Sequence, residues 1–304
     1  MEQEEFENYI QAGEIAKEVK KYAREIIKPG EKLIDIARKI DDKIIELGGE
    51  LGFPVNLCID EHAAHYTPTT GDEGVVKGLL TFDVGVTING YFADTAFTID
   101  FTKEGKYKDL VECNKSMLAK VMKCVHDGIQ IKEIGEAASS ALDSWNKEKK
   151  TSYNLIHELS GHQIAQNVIH AGFTIPNYKN NINKIIKDTG FASESFITTG
   201  KGNIKSGSEG GIFKIDDWDK KPRDPDSRKV LEYIKENFKT RPFCMRWVER
   251  AGFKKLKFIF SDLKKQGIFY EYPILIEVSG APVSQMENTF LAANGKIVVT
   301  TRDD

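Results

Sequence analysis

No stretch of the 304 residues approaches the roughly 18 uninterrupted apolar residues that a membrane helix needs, so no span is expected. Cysteine is scarce. Cys58, Cys113, Cys124 and Cys244 share no C-x-x-C spacing, which argues against a disulfide framework and a zinc knuckle. They are expected to stay reduced, as small apolar residues of a cytoplasmic protein. The N-terminus, Met1-Glu2-Gln3-Glu4-Glu5, is acidic where a secretory signal is basic and then apolar. Low-complexity tracts are missing, and 40% of residues are apolar against 29% charged, with a net charge of −3. That balance excludes intrinsic disorder and leaves enough chain for one large domain or two modest ones. Phosphate-loop chemistry is missing too, because Thr199-Gly200-Lys201-Gly202 lacks the upstream glycine and the Ser or Thr of that motif.

What is present reads as helix pair, hairpin, helix pair. Residues 6–27 carry apolar positions at helical spacing and stop at Lys28-Pro29-Gly30. A second helix presents Leu33, Ile36, Ala37, Ile40, Ile44 and Leu47 on one face and closes at Gly48-Gly49. Leu110 to Val125 marks a third helix, and Ile134, Ala137, Ala138, Ala141 and Trp145 mark a fourth. The joints look alike: Gly30-x-x-Leu33-x-Asp35-Ile36 matches Gly128-x-x-Ile131-x-Glu133-Ile134. A duplicated unit would produce this match, and so would chance over so few positions.

Between the helix pairs, Leu79 to Ile88 and Tyr91 to Phe101 read as strands joined by Asn89-Gly90. Asn-Gly suits a two-residue type I′ turn, whose central positions both need positive φ. Ile88 then pairs with Tyr91, and Asp94 falls opposite Gly85. Asp83 shares that face, because strand side chains alternate, so the two aspartates are diagonal neighbours about 7–8 Å apart at the backbone. Two carboxylates aimed at one apolar spot repel unless a cation or proton lies between them, which suggests a divalent metal. Two aspartates solvated on an open sheet face would fit the same segment. Ile274 to Val278 and Lys296 to Thr300 add further strands, and helices with antiparallel strands indicate an α+β domain.

The histidines offer a choice of readings. His157-Glu158-Leu159-Ser160-Gly161-His162 spaces its histidines by five with a glycine inside, so it is not the helical H-E-x-x-H zinc motif. Glu61-His62-Ala63-Ala64-His65-Tyr66-Thr67-Pro68 supplies two more, in an expected loop. Each alone fits a hydrogen-bonded structural histidine as well as a ligand. Residues 214–266 carry 16 Lys and Arg against 9 Asp and Glu and look helical from Pro225 to Lys265. Their basic face suits nucleic acid or ribosome, or is simply a solvated lysine-rich surface.

Taken in order, His65-Tyr66-Thr67-Pro68, Asp83, Asp94, Gly161-His162, His170, Phe191-Ala192-Ser193-Glu194-Ser195-Phe196 and Gln285-Met286-Glu287 resemble the pita-bread metallopeptidases. They are most similar to type 2 methionine aminopeptidases, over nearly the whole chain. The type 2 likeness rests on the long basic gap between Glu194 and Glu287 and on Phe243-Cys244-Met245-Arg246-Trp247. Without the long charged N-terminal extension of eukaryotic members, the chain looks like an archaeal one.

The resemblance implies a pita-bread fold with pseudo-twofold duplicated halves. Residues 1–204 and 267–304 would form the catalytic domain and 205–266 an inserted basic helical subdomain. It implies two divalent ions (Co, Mn, Fe or Zn). Asp83 would chelate one, His162 with Glu194 the other, and Asp94 and Glu287 would bridge both, four carboxylates balancing two divalent charges. A water bridging the ions would attack the scissile carbonyl. Glu194 would shuttle the proton, His170 would stabilise the tetrahedral intermediate, and His65 would contact the substrate amide. Phe53, His65, Ile169, Phe196 and Tyr272 would surround the methionine side chain, although each aromatic fits ordinary core packing equally well.

The implied activity is removal of N-terminal methionine from nascent chains whose second residue is small, by a cytoplasmic monomer with a possible ribosome contact through the insert. An Xaa-Pro aminopeptidase or prolidase is the alternative enzyme, disfavoured by the block after Glu194 and by the absence of a preceding domain. A non-catalytic pita-bread binding protein is the alternative outside enzymes, and such relatives have lost ligands. The family commonly has Asn at Thr69, Ile at Ser193, Thr or Pro at Ser195 and His at Asn288, so hydrogen bonding around the ligands is expected to differ here.

Overall fold

The structure, a computed structural model, describes residues 1–302. Helices α1 (Gln3–Ile26) and α2 (Leu33–Glu46) open the chain. α1 buries Ala12, Ile15, Ala16, Val19 and Ala23, the three-and-four spacing that lines one face of a helix. Strands β1 (Glu50–Ile59), β2 (His62–Ala64), β3 (Leu79–Ile88) and β4 (Tyr91–Asp100) follow. Then come helices α3 (Lys108–Cys124) and α4 (Ile131–Lys149). Strands β5 (Asn154–Leu155), β6 (Gly161–Ala165), β7 (Val168–Ile175), β8 (Thr189–Thr198) and β9 (Ile204–Ile215) come next. Helix α5 (Pro225–Phe238), strand β10 (Phe243–Cys244) and helices α6 (Met245–Arg250) and α7 (Leu256–Lys265) precede the last strands. These are β11 (Phe269–Glu277), β12 (Val283–Ala293) and β13 (Lys296–Val299).

A nine-stranded sheet runs β1-β3-β4-β12-β8-β6-β7, with β13 beside β12 and β5 beside β8. The four long helices pack on it, and β3 and β8 are buried along their whole length. A smaller sheet runs β10-β9-β11-β2. The β3–β4 hairpin has the expected register, with Ile88 opposite Tyr91 and Gly85 opposite Asp94. Asn89 and Gly90 both hold positive φ, 51° and 82°, as a type I′ turn requires.

The matched joints of the two helix pairs are matched in space. Leu33 N–H donates to the Gly74 carbonyl and Val76 N–H to Glu31. In the second half Ile131 N–H donates to Lys184 and Ile186 N–H to Ile129. The bridges Lys32–Val75 and Gln130–Ile185 repeat the same step. Each leads into a ten-residue strand, β3 or β8, through a residue of positive φ, Gly78 or Asp188. The chain is thus a duplicated α+β unit of the pita-bread type.

The halves meet where β4 runs beside β12, and the ladder there is sparse: Glu287 opposite Ala96 is the one register pair. Threonine hydroxyls supply much of the rest. Thr95 Oγ1 donates to the Glu287 carbonyl at 2.9 Å and Thr98 Oγ1 to Gln285 at 2.8 Å. Thr289 Oγ1 accepts Asp94 N–H at 2.7 Å and donates to the Asp94 carbonyl at 2.8 Å.

Three expectations change. Residues 62–64 form β2 on the small sheet rather than loop, because β11 offers them an antiparallel partner. The stretch 205–266 opens as strand, since β9 spans residues 204–215 and pairs along β11. Its helices are also broken by β10, which pairs with β9. This region has its own apolar core, built on Val230, Ile234, Phe243, Val248, Phe260 and Leu263. Two buried arginines fasten it down. Arg241 Nη1 donates to Glu50 at 2.6 Å and to Thr87 at 2.5 Å, and Arg246 Nε donates to Asp41 at 2.7 Å.

Glu277, fully buried at the end of β11, accepts the N–H groups of Lys201 and Ser279 at 2.7 Å and of Ala281 at 3.2 Å. Burial alone would raise its carboxyl; these bonds and the Ser279 hydroxyl outweigh that and hold it below the usual range. A carboxyl lowered by folding stabilises the fold above its unfolded value, about 4.3, and that contribution fades as pH falls through the folded value. Glu277→Gln is therefore expected to cost about 1–3 kcal/mol near neutrality. The deficit should shrink below about pH 4, which thermal melts across pH would read.

Candidate metal centre and cleft

The sequence-singled residues converge on a cleft of about 540 Å³ whose walls include Phe53, His65, Asp83, Asp94, His162, Ile169, His170, Glu194, Phe196, Tyr272 and Glu287. The large sheet supplies most of one side. β9, β11 and the turn after β2 supply the other, so the cleft lies between the two sheets. His157-x-x-x-x-His162 is not helical: it runs from turn into β6, and only His162 reaches the cluster of acids.

At the floor, four carboxylates come from four strands: Asp83 from β3, Asp94 from β4, Glu194 from β8 and Glu287 from β12. Glu194 and Glu287 stand directly opposite each other in the ladder. All four are at most 9% exposed. His162 Nε2 lies 3.5 Å from Asp94 Oδ2 and 3.4 Å from Glu194 Oε1. Its Nδ1 faces the Gln163 carbonyl at 3.4 Å, which turns Nε2 toward the acids.

Burial, and then the neighbouring negative charges, push the carboxyls of Asp83, Asp94 and Glu287 well above their ordinary values. For Asp83 that neighbour is Glu194, for Asp94 chiefly Asp83, and for Glu287 chiefly Asp94. Asp83 Oδ1, Asp94 Oδ1 and Glu287 Oε1 are buried without a hydrogen-bond donor. Ligand atoms of Asp94, His162 and Glu287 lie within 4.8 Å of one another. Crowded, donorless carboxylate oxygens with one imidazole suit a divalent cation.

Four histidines line the cleft, and three of them, His65, His162 and His170, interact around the acids. His170 meets His162 edge-to-face at 4.3 Å, and His65 lies 5.2 Å from Tyr272. Burial lowers the imidazoles of His65 and His170, and for His170 the two other histidines add to it. Both rings are thereby kept neutral near pH 7.

The structure adds residues to which the sequence assigned no role. Gln285 Nε2 donates to Glu194 at 3.2 Å and approaches Glu287 at 3.5 Å. It lies two residues before Glu287 on β12, so strand alternation was a usable signal. Asn177 Nδ2 donates to the Glu194 carbonyl. Asn56 lines the cleft and accepts the His65 N–H at 2.8 Å; register shifts in β1 hid its direction. Pro242, just before β10, adds to the wall to which β9 gives Ile212, and His157 stacks on Tyr178 at 4.4 Å farther along it. No local sequence signal announces either. Of the departures from the family pattern, Ser195 donates to buried Asn114, whose amide also donates to the Ser195 and Ser284 carbonyls. The Asn288 amide donates to Thr301 Oγ1 at 2.9 Å and to the Glu287 carbonyl at 3.1 Å.

The model of metallopeptidase family M24 matches residues 7–216. A methionine aminopeptidase of Thermococcus onnurineus is 40% identical over 98% of this chain and 100% of its own length. One from Pyrococcus horikoshii is 37% identical over 96% of this chain and 98% of its own. Among solved structures, a thermophilic Arx1 superposes with TM-score 0.80 at 17% identity, covering 100% of this chain and 92% of that one. The methionine aminopeptidase of Thermotoga maritima superposes with TM-score 0.70 at 17% identity, covering 100% and 98%.

A carboxyl raised by folding loses its proton more readily in the unfolded chain, so it destabilises the metal-free fold increasingly as pH rises above about 4. A bound divalent cation removes that penalty. The gap in melting temperature between metal-loaded and chelator-treated protein should therefore widen from about pH 5 to about pH 8. A gap independent of pH would count against a cation at these acids.

Proposed function

The chain belongs to metallopeptidase family M24, and on that footing we propose that it removes N-terminal methionine from nascent proteins whose second residue is small. The observation that supports this reading most is the convergence of Asp83, Asp94, His162, Glu194 and Glu287 at the floor of one cleft, in a chain that aligns end to end with methionine aminopeptidases. On this reading two divalent ions occupy the floor, drawn from Co, Mn, Fe or Zn, which carboxylate-rich sites with one imidazole accept. Asp83, Asp94, His162, Glu194 and Glu287 would hold them. Their four negative charges then meet four positive ones.

Bound there, the ions supply a Lewis acid for the scissile carbonyl and acidify the attacking water. The side chains do the rest. Glu194 takes the proton of the water and delivers it to the leaving amine. Gln285 holds the second Glu194 oxygen in place. Neutral His170 donates an N–H to the carbonyl oxygen as charge develops on it, and His65 meets the amide on the leaving side. Phe53, Ile169, Phe196, Tyr272 and the His65 ring enclose the methionine side chain. Such an apolar slot discriminates by fit, roughly 1–3 kcal/mol per methylene.

The segment 205–266, with its own core, is read as an inserted subdomain of a cytoplasmic monomer. The described residues contain no helix long and apolar enough to cross a membrane. Its basic surface, where Phe258 is 68% exposed beside Lys257, is read as a ribosome contact. Lys264 is committed to Glu209 and Glu271, so charge reversal belongs at Lys254, Lys255, Lys257 and Lys265. Reversal there should abolish cosedimentation with ribosomes at low salt, and unchanged cosedimentation would refute the contact.

Chelator-stripped protein is expected to release methionine from Met-Ala-Ser only after divalent metal is restored, and to leave Leu-Pro intact. Asp83→Ala should abolish that release while the melting transition persists. Release from Leu-Pro alone would replace this reading with a proline-directed one.

A further inference from the structure

His65 occupies the left-handed region, with φ at 67°. A β-carbon makes that conformation costly, so it persists only where the surroundings fix it. The fixing contacts come from three directions. From β1, Asn56 Oδ1 accepts the His65 N–H at 2.8 Å, and Leu57 N–H donates to the Tyr66 carbonyl at 2.9 Å. From β9, the Gly210 carbonyl accepts Thr67 N–H at 2.9 Å. Gly210 has to be glycine, because a Cβ there would lie 1.8 Å from the His65 carbonyl oxygen.

The third direction is α6, in the helical part of the 205–266 segment. Arg246, 4% exposed at the start of α6, sends Nη1 to the Pro68 carbonyl at 2.8 Å and to Thr67 Oγ1 at 3.3 Å. The same guanidinium is locked by Asp41 of α2, with Nε at 2.7 Å from Oδ2. One planar fork thus ties the turn carrying His65 to a helix of the first half. A lysine ammonium is a single point and cannot span both sites with the same geometry. The strap leading to Arg246 is itself pinned, by Arg241 on Glu50 and Thr87, and it presents Pro242 to the cleft.

We propose that Arg246 is a positioning residue for methionine removal, holding the His65 ring at the substrate amide through Thr67 and Pro68. The basic segment is on this view part of the catalytic apparatus and not an appendage. The proposal rests on the aminopeptidase reading above, and one readout is chosen to be independent of it.

Arg246→Lys keeps the charge opposite Asp41 and loses the fork. It is expected to lower kcat on Met-Ala-Ser about tenfold with KM and the metal requirement little changed. In a His65→Ala background the same substitution should lower kcat less than twofold, because a residue acting through His65 has nothing left to act on. Thr67→Val serves as a second, milder variant should Arg246→Lys fail to fold, with the same non-additivity expected. The independent readout is the His65 ring resonance by NMR, which should shift in both variants. An equal kcat loss in the two backgrounds would overturn the proposal, as would an unmoved His65 resonance. If the natural chain releases no methionine but the resonance shifts, the aminopeptidase reading falls and the coupling of Arg246 to His65 stands.

Discussion

Four carboxylates lie buried side by side at the floor of one cleft, and much of the fold answers to the electrostatic cost of keeping them there. Burial and mutual repulsion drive Asp83, Asp94 and Glu287 toward their neutral forms, and three of their oxygens have no donor. A cation resolves this without disturbing a strand. The strands bearing the acids are those that packing holds hardest: β3, β8 and β12 are buried from end to end. Had the acids been carried on loops, the chain could have relaxed them apart, and the tension that selects a metal would have dissipated.

The small sheet and the basic segment solve a different problem. The acids form one wall of the cleft, and a substrate needs an opposing wall at fixed distance. That wall is assembled from β9, β11 and the turn after β2, and buried arginines bolt it to the first half rather than apolar contact alone. Buried guanidinium–carboxylate pairs contribute little net stability compared with well-packed apolar residues, but their directional bonds set register. The Asp41–Arg246 pair fits that description, since both partners are buried and every bond is aimed.

Much of the first half was legible in residue spacing. Asn89-Gly90 specified the hairpin, its register placed Asp83 and Asp94 on one face, and helical periodicity located α1 to α4 within a few residues. The repeated Gly30 and Gly128 joints pointed to the duplication. His162, Glu194 and Glu287 were reached by family resemblance, because the strands that unite them are far apart in sequence and no local pattern says which will pair. β1 hid Asn56 behind shifted register, and β2 became a strand only because β11 was there to receive it. Pro242, Arg241 and Arg246 read locally as ordinary members of a basic run. Their roles come from contacts to residues near positions 41, 50 and 68, and a charge count over the run averages such contacts away.

The seam between the halves bears on how natural variation in this chain should be judged. Thr95, Thr98 and Thr289 hold β4 and β12 together with side-chain hydroxyls where backbone pairing is thin. Valine matches threonine in shape and is the exchange a size-based or strand-propensity comparison would wave through. At these sites it would strip partners from buried backbone groups beside the acids. Serine, which keeps the hydroxyl and leaves a methyl-sized gap, is the milder change. For a seam of this kind, hydrogen-bonding capacity is the property to compare between related chains, ahead of volume.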